Sequence, residues 1–190
     1  MGYRLVTPPA ALPVTLAEAK QHLRVDHSDD DAKINALISA AVSYLDARSG
    51  VLGRCIVTQT WELQLDEFPD EEIEIALGPV QSVTSVHYTD QDGVTQVIAS
   101  SEYDVDVVSL VARVLPVTSW PQAKAEANAV HVRFVAGTSA ASVPQAIKQA
   151  ILLLVSHWYE ERSTVNAGNI SSVLPFTVDA LLTPFRRTFT

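Results

Sequence analysis

The chain has 190 residues but one cysteine, one methionine and only seven glycines. With Cys55 as its single thiol it can form no intrachain disulfide and no cysteine zinc site. Glycine scarcity argues against a phosphate cradle, and the sequence has no Walker loop, no Gly-x-Gly-x-x-Gly and no Gly-x-Ser-x-Gly elbow. Long apolar runs are missing too. The longest aliphatic stretch, residues 150–155, falls far short of the roughly 20 residues that a membrane span needs. Residues 1–9 contain no apolar core of signal-peptide length. These absences lead us to expect a soluble protein made in the cytosol. Positive charge is also short: 13 Lys and Arg face 22 Asp and Glu, for a net charge of −9. Proteins that grip the nucleic-acid backbone present a basic surface, so tight DNA binding is disfavoured. An acidic wall that lets DNA slide past is compatible with the composition.

What is present is enough for a core, since hydrophobic residues make up 47% of the chain. Residues 1–14 hold Pro8, Pro9 and Pro13 and read as an extended lead-in. Thr15 and Glu18 form a capping box for a short helix from Leu16 to about Leu23. The acids of residues 26–31 suit the start of a second helix. In that helix Ile34, Leu37, Ile38, Ala41, Val42 and Leu45 share one face, with Gly50 as its stop.

The period then drops to two. Val57, Gln59, Trp61, Leu63 and Leu65 alternate with Thr58, Thr60, Glu62, Gln64 and Asp66, which predicts a strand buried on one side. Further alternating runs follow around residues 73–77, 83–88, 94–98, 103–107, 110–115 and 130–134, with a hairpin turn at residues 90–93. Pro144 reopens a helix to Arg162, apolar nearly all round because Leu152 and Leu153 join Ile147, Ile151, Leu154, Val155 and Trp158. Such a helix is central to a core or shared with a neighbour. Residues 163–172 read as a loop and residues 178–182 as one helical turn.

The expected fold class is α+β. N-terminal and C-terminal helices pack together as a helical bundle, with an inserted all-β module of about six or seven short strands. The parts are residues 1–55, the N-terminal helical part; 56–137, the β-rich insertion; and 138–190, the C-terminal helix and tail that complete the helical part. The junctions near Cys55 and Gly137 should then lie close together.

Chemistry-bearing patterns do not appear. The five histidines show no zinc spacing, and His27 beside the acidic run lacks the glycine and distal glutamate of a calcium loop. Cys55, among Leu52, Ile56 and Val57, reads as a buried structural residue. Trp61 and Trp158 fall on apolar faces, and Trp120 in a loop keeps an open role. We expect no catalytic, cofactor or metal residues. An enzyme of the carbohydrate-active or peptidoglycan-acting kind is the rival reading. Its best acids, Asp104 and Asp106, look like the wet face of a strand. A β-sandwich binding module on a helical base is the third.

Several segments carry a resemblance: residues 8–20, 22–26, 58–63, 79–83, 143–154, 157–160 and 174–182. Across nearly the whole chain, and in order, they resemble the head–tail connector (adaptor, or head-completion) proteins of long-tailed phages, prophages and gene transfer agents. The resemblance implies a non-enzymatic virion protein in the neck region, made in the bacterial cytoplasm. Copies would form a ring, usually dodecameric, beneath the portal protein. That ring would extend the DNA channel without tight binding of duplex DNA and meet a stopper or tail-completion protein.

Within that frame Leu152, Leu153, Trp158 and Tyr159 are candidates for the contact between subunits. The tail residues Phe185, Arg186, Arg187 and Phe189 are candidates for docking to the portal. Two aromatics there flank two arginines at the end of an acidic chain.

Overall fold

A computed structural model describes residues 1–160 and 176–187. The fold is mixed α+β, with four α-helices and two antiparallel sheets among the described residues. The chain divides into two compact units. One joins residues 1–10 to residues 57–138; the other joins residues 11–56 to the described residues from 139 onward.

The strand-rich unit holds β1 (Gly2–Thr7), β2 (Gln59–Leu65), β3 (Ile73–Ile75), β4 (Val80–Thr89), β5 (Thr95–Ile98), β6 (Tyr103–Asp106), β7 (Ala112–Pro116) and β8 (Val130–Ala136). The larger sheet runs β1-β2-β8-β4-β5 and the smaller β3-β7-β6. The two-residue period sets its core. Leu63, Val86, Val130, Val132 and Phe134 of the larger sheet are buried, as are Ile73, Ile75, Ala112 and Val114 of the smaller.

The lead-in expected at residues 1–14 is in part a strand. Its first half, β1, pairs antiparallel with β2, with Arg4 opposite Glu62 and Leu5 opposite Trp61. Tyr3 fixes it: its ring meets Phe134 edge-on at 6.2 Å, and its hydroxyl accepts the Ala76 N–H at 3.1 Å. The prolines dominate a local reading of this segment. The edge of β2 that captures it lies more than fifty residues away in sequence.

The helical unit holds α1 (Leu16–Leu23), α2 (Asp31–Leu45), α3 (Gln145–Glu160) and α4 (Phe176–Leu182). Contacts join α1 to α2 and α3, α2 to α3, and α3 to α4. The capping box forms as expected: the Thr15 hydroxyl accepts the Glu18 N–H, and the Glu18 carboxylate accepts the Thr15 N–H at 2.7 Å. On α2, Ile34, Ile38, Ala41, Val42 and Leu45 are buried, and Leu37 is half-buried. On α3, Ile147, Ala150, Ile151, Leu154 and Val155 are buried.

Gly50 does not stop α2, which ends five residues earlier at Leu45. Asp46 caps the exit, and its carboxylate accepts the Ile56 N–H at 2.7 Å. Gly50 serves a close approach instead, because a Cβ there would lie 2.2 Å from the Asp46 carbonyl oxygen. The acids ahead of α2 also act differently from expectation. Asp30, at the N-cap, makes no capping side-chain hydrogen bond. Its carboxylate accepts the Tyr159 hydroxyl, while Asp31 pairs with Lys20 at 2.6 Å.

Candidate assembly surfaces

The C-terminal end of α3 is committed first to its own unit. Trp158 is half-buried and meets Tyr44 of α2 edge-on at 6.3 Å. Tyr159 donates to Asp30, and the Lys33 ammonium sits 4.7 Å above its ring. Leu152 and Leu153 are half-buried. Leu152 lines a groove of about 290 Å3 with Val14, Glu18, His22, Gln145 and Lys148. The four residues picked out as interface candidates therefore keep some surface, and two of them already have partners on α2 or just ahead of it.

Part of the tail is tied down. A 3-10 turn, Thr183–Phe185, follows α4 and leaves Phe185 half-buried. Arg186 pairs with Asp179 at 2.7 Å. The Arg187 N–H donates to the Leu52 carbonyl at 2.9 Å. Burial lowers the pKa of both Arg54 and Arg187, and the charge of Arg187 lowers that of Arg54 further. Phe189, the second expected anchor, lies outside the described residues, as do Arg162 and the loop expected at 163–172.

Three features escaped the sequence reading. The first is Glu62, placed on the wet face of its strand yet only 4% exposed. Its neighbours cover it: Arg4 on β1 bonds it at 2.7 Å, Arg133 on β8 at 3.0 Å, Gln64 at 3.1 Å, and His131 Nδ1 lies 3.2 Å away. Burial pushes the Glu62 carboxyl up, but hydrogen bonds from Arg4, Arg133, Gln64 and His131 outweigh it and hold the pKa at about 2.

The second is the tip of the β6–β7 hairpin, residues 107–111, where Val108 is 94% and Leu110 75% exposed. Its first carboxylate organises it. Asp106 accepts the N–H of Val108 at 2.9 Å and of Ser109 at 3.1 Å, the Ser109 hydroxyl at 2.6 Å, and Arg113 at 2.8 Å. The Ser109 hydroxyl and Arg113 hold the Asp106 carboxyl far below the usual carboxylate range. A carboxylate so occupied is a poor general acid, which weakens the pair Asp104 and Asp106 as catalytic residues.

The third is a groove of about 490 Å3 beside Trp120, with Tyr88, Val97, Ile98 and Val117 on its walls. Trp120 stacks on Phe68 at 4.9 Å, and its ring N–H donates to the Glu71 carbonyl at 2.8 Å. The indole is therefore a fixed wall of this groove. Among the described residues no three His, Cys, Asp or Glu side chains stand together as a metal site. No helix there is long and apolar enough to cross a membrane.

The fold is similar to three chains of solved particles. One, from the neck of an empty gene transfer agent particle computed with C6 symmetry, has a TM-score of 0.78 at 23% identity. Another, from the virion of a native gene transfer agent particle, gives 0.79 at 23% identity. The third, from the neck of a native particle computed with C12 symmetry, gives 0.70 at 22% identity. Each alignment covers 100% of this chain and 97% of the other. No curated protein matches the chain. The head completion protein family matches residues 14–188. That match takes in both helical segments and every strand after the first, and the chain belongs to the head completion protein family.

Proposed function

We propose that this chain is a non-enzymatic head–tail connector subunit in the neck of a phage-like or gene transfer agent particle. Copies assemble into a ring beneath the portal. The ring extends the DNA channel and offers the next surface to a stopper or tail-completion protein. The family match over residues 14–188, together with the end-to-end likeness of the fold to chains from gene transfer agent necks, carries this reading. One such neck was computed with C6 symmetry and another with C12, and both suit a ring of twelve subunits.

In this reading the helices from the two ends of the sequence form one unit, and residues 56–137 are a module inserted between them in sequence. The half-buried Leu152, Leu153, Trp158 and Tyr159 contribute the surface that a neighbouring copy covers. The tail from Phe185 to Phe189 docks on the portal. Because Arg187 holds on to Leu52 through its backbone, the tail's anchor begins from a fixed point of the helical unit. A net charge of −9 keeps passing duplex DNA from sticking to the ring.

Electron microscopy of the purified chain mixed with the portal of its own particle tests the reading. A ring stacked coaxially on the portal is the expected result. A portal that stays bare at saturating chain overturns it.

A further inference from the structure

The turn between β4 and β5 holds a dipeptide that occurs once in the chain. Asp92 is the one aspartate followed by glycine, and no asparagine precedes a glycine. Both Asp92 and Gly93 are exposed. The two acids of this turn are placed differently. The Asp90 carboxylate is fully engaged: it accepts the N–H groups of Asp92 at 3.0 Å and Val94 at 2.9 Å, and the Gln96 amide at 2.7 Å. Among the described residues nothing donates to the Asp92 carboxylate. It is left to turn on its own backbone, where the next nitrogen is that of Gly93.

Glycine makes that nitrogen reachable. It has no Cβ to shield the approach, and the space beside it is open, since a Cβ there would meet only the Lys124 ammonium, at 3.7 Å. Its φ of +82° belongs to the closed turn. In that turn the Gly93 N–H donates to the Asp90 carbonyl at 3.0 Å, and the Asp90 N–H to the Val94 carbonyl at 2.9 Å. The first of these bonds must open before the nitrogen can react. A hairpin end on the rim of a sheet opens most readily, and β5 ends the larger sheet with β4 as its partner.

We propose that Asp92 is a site of spontaneous conversion to isoaspartate. The Gly93 backbone nitrogen bonds to Cγ of the protonated Asp92 carboxyl. The nitrogen's proton and the carboxyl's hydroxyl leave as water, and a five-membered succinimide closes. A second water then opens the ring. Addition at Cγ breaks the new bond and restores aspartate. Addition at the main-chain carbonyl breaks the old peptide bond, so the chain runs on through Cγ and a free carboxylate stands on Cα. One water leaves and one enters, and nothing is oxidised or reduced. The product has one more carbon in its main chain, which the turn bonds of Asp90 no longer fit, so β5 loosens from the sheet. The site is independent of the assembly reading above.

The test ages the purified full chain at neutral pH beside a synthetic peptide of residues 88–96. Isoaspartate is read by enzymatic transfer of a labelled methyl group to its free carboxylate, and placed by peptide mapping. Label should grow with time in the folded chain and fall in the peptide that contains Asp92. Asp92→Glu keeps the glycine and the turn but needs a six-membered ring, and should abolish the label. Asp92→Ser, which has no carboxyl, should do the same if the first fails to fold. A folded chain that stays unlabelled while the synthetic peptide converts overturns the proposal, because the closed turn then protects the pair. Label that persists in both variants overturns it equally.

Discussion

Gly137 lies so close against Val57 that a Cβ at position 137 would sit 2.3 Å from the Val57 carbonyl oxygen. The same glycine has φ of +100°, a conformation that L side chains rarely adopt. Beside it Val57 and Thr138 form a parallel bridge, and the Thr58 N–H donates to the Thr138 carbonyl at 2.8 Å. The strand-rich stretch thus begins and ends at one place. Gly137→Ala should destabilise the protein by about 2 kcal/mol or more, from backbone strain plus a contact that only a backbone shift relieves. Urea unfolding followed by circular dichroism measures this. A midpoint equal to that of the unchanged protein contradicts it.

Glu62 sets an acid limit on stability. Its carboxyl is held at about 2 in the folded chain, against an ordinary value of 4.5. A depressed carboxylate contributes stability that is present above the unfolded value and is lost as pH falls through the folded one. The window is therefore from about 4.5 down to about 2. Thermal melts between pH 6 and pH 3 should show a steeper loss for the unchanged protein than for Glu62→Gln. Parallel curves would mean that the contacts from Arg4 and Arg133 contribute nothing. At neutral pH Glu62→Ala should cost about 2 kcal/mol, since half-exposed arginines can turn to water once their partner is gone.

Tyr159→Phe removes the hydroxyl that Asp30 accepts and leaves the ring under Lys33. A bond to a charged acceptor contributes about 2 kcal/mol, so a chemical denaturation midpoint should fall accordingly. Assembly on the portal should be unchanged, because the ring's outer surface is intact. Loss of assembly at unchanged stability would place the hydroxyl in the contact between copies instead.

The C-terminal truncation that removes Phe185 and all that follows should act twice. It deletes the Arg186–Asp179 pair and the Arg187–Leu52 backbone bond, at a cost of about 1 kcal/mol. It should also abolish capture by the portal, whereas Phe189→Ala should weaken capture and leave the melt unchanged. Portal pull-down beside a thermal melt separates these effects. Full capture of the folded truncation excludes the tail as the docking peptide.

Much of this protein is written locally. The capping box at Thr15 and Glu18, the buried face of α2 and the alternation along β8 follow from side-chain spacing alone. A helix repeats every 3.6 residues and a strand every two, so each element states its period within a few turns of its own sequence.

The rest depended on partners far away in sequence. Glu62 reads as a wet-face residue until Arg4, 58 positions earlier, and Arg133, 71 later, close over it. The Pro-rich start becomes β1 only because β2 offers it an edge. Asp30 looks like a helix cap until Tyr159, 129 residues on, claims its carboxylate. Periodicity tells which side of an element is buried. Which distant group covers a charge is decided only when the strands find their register.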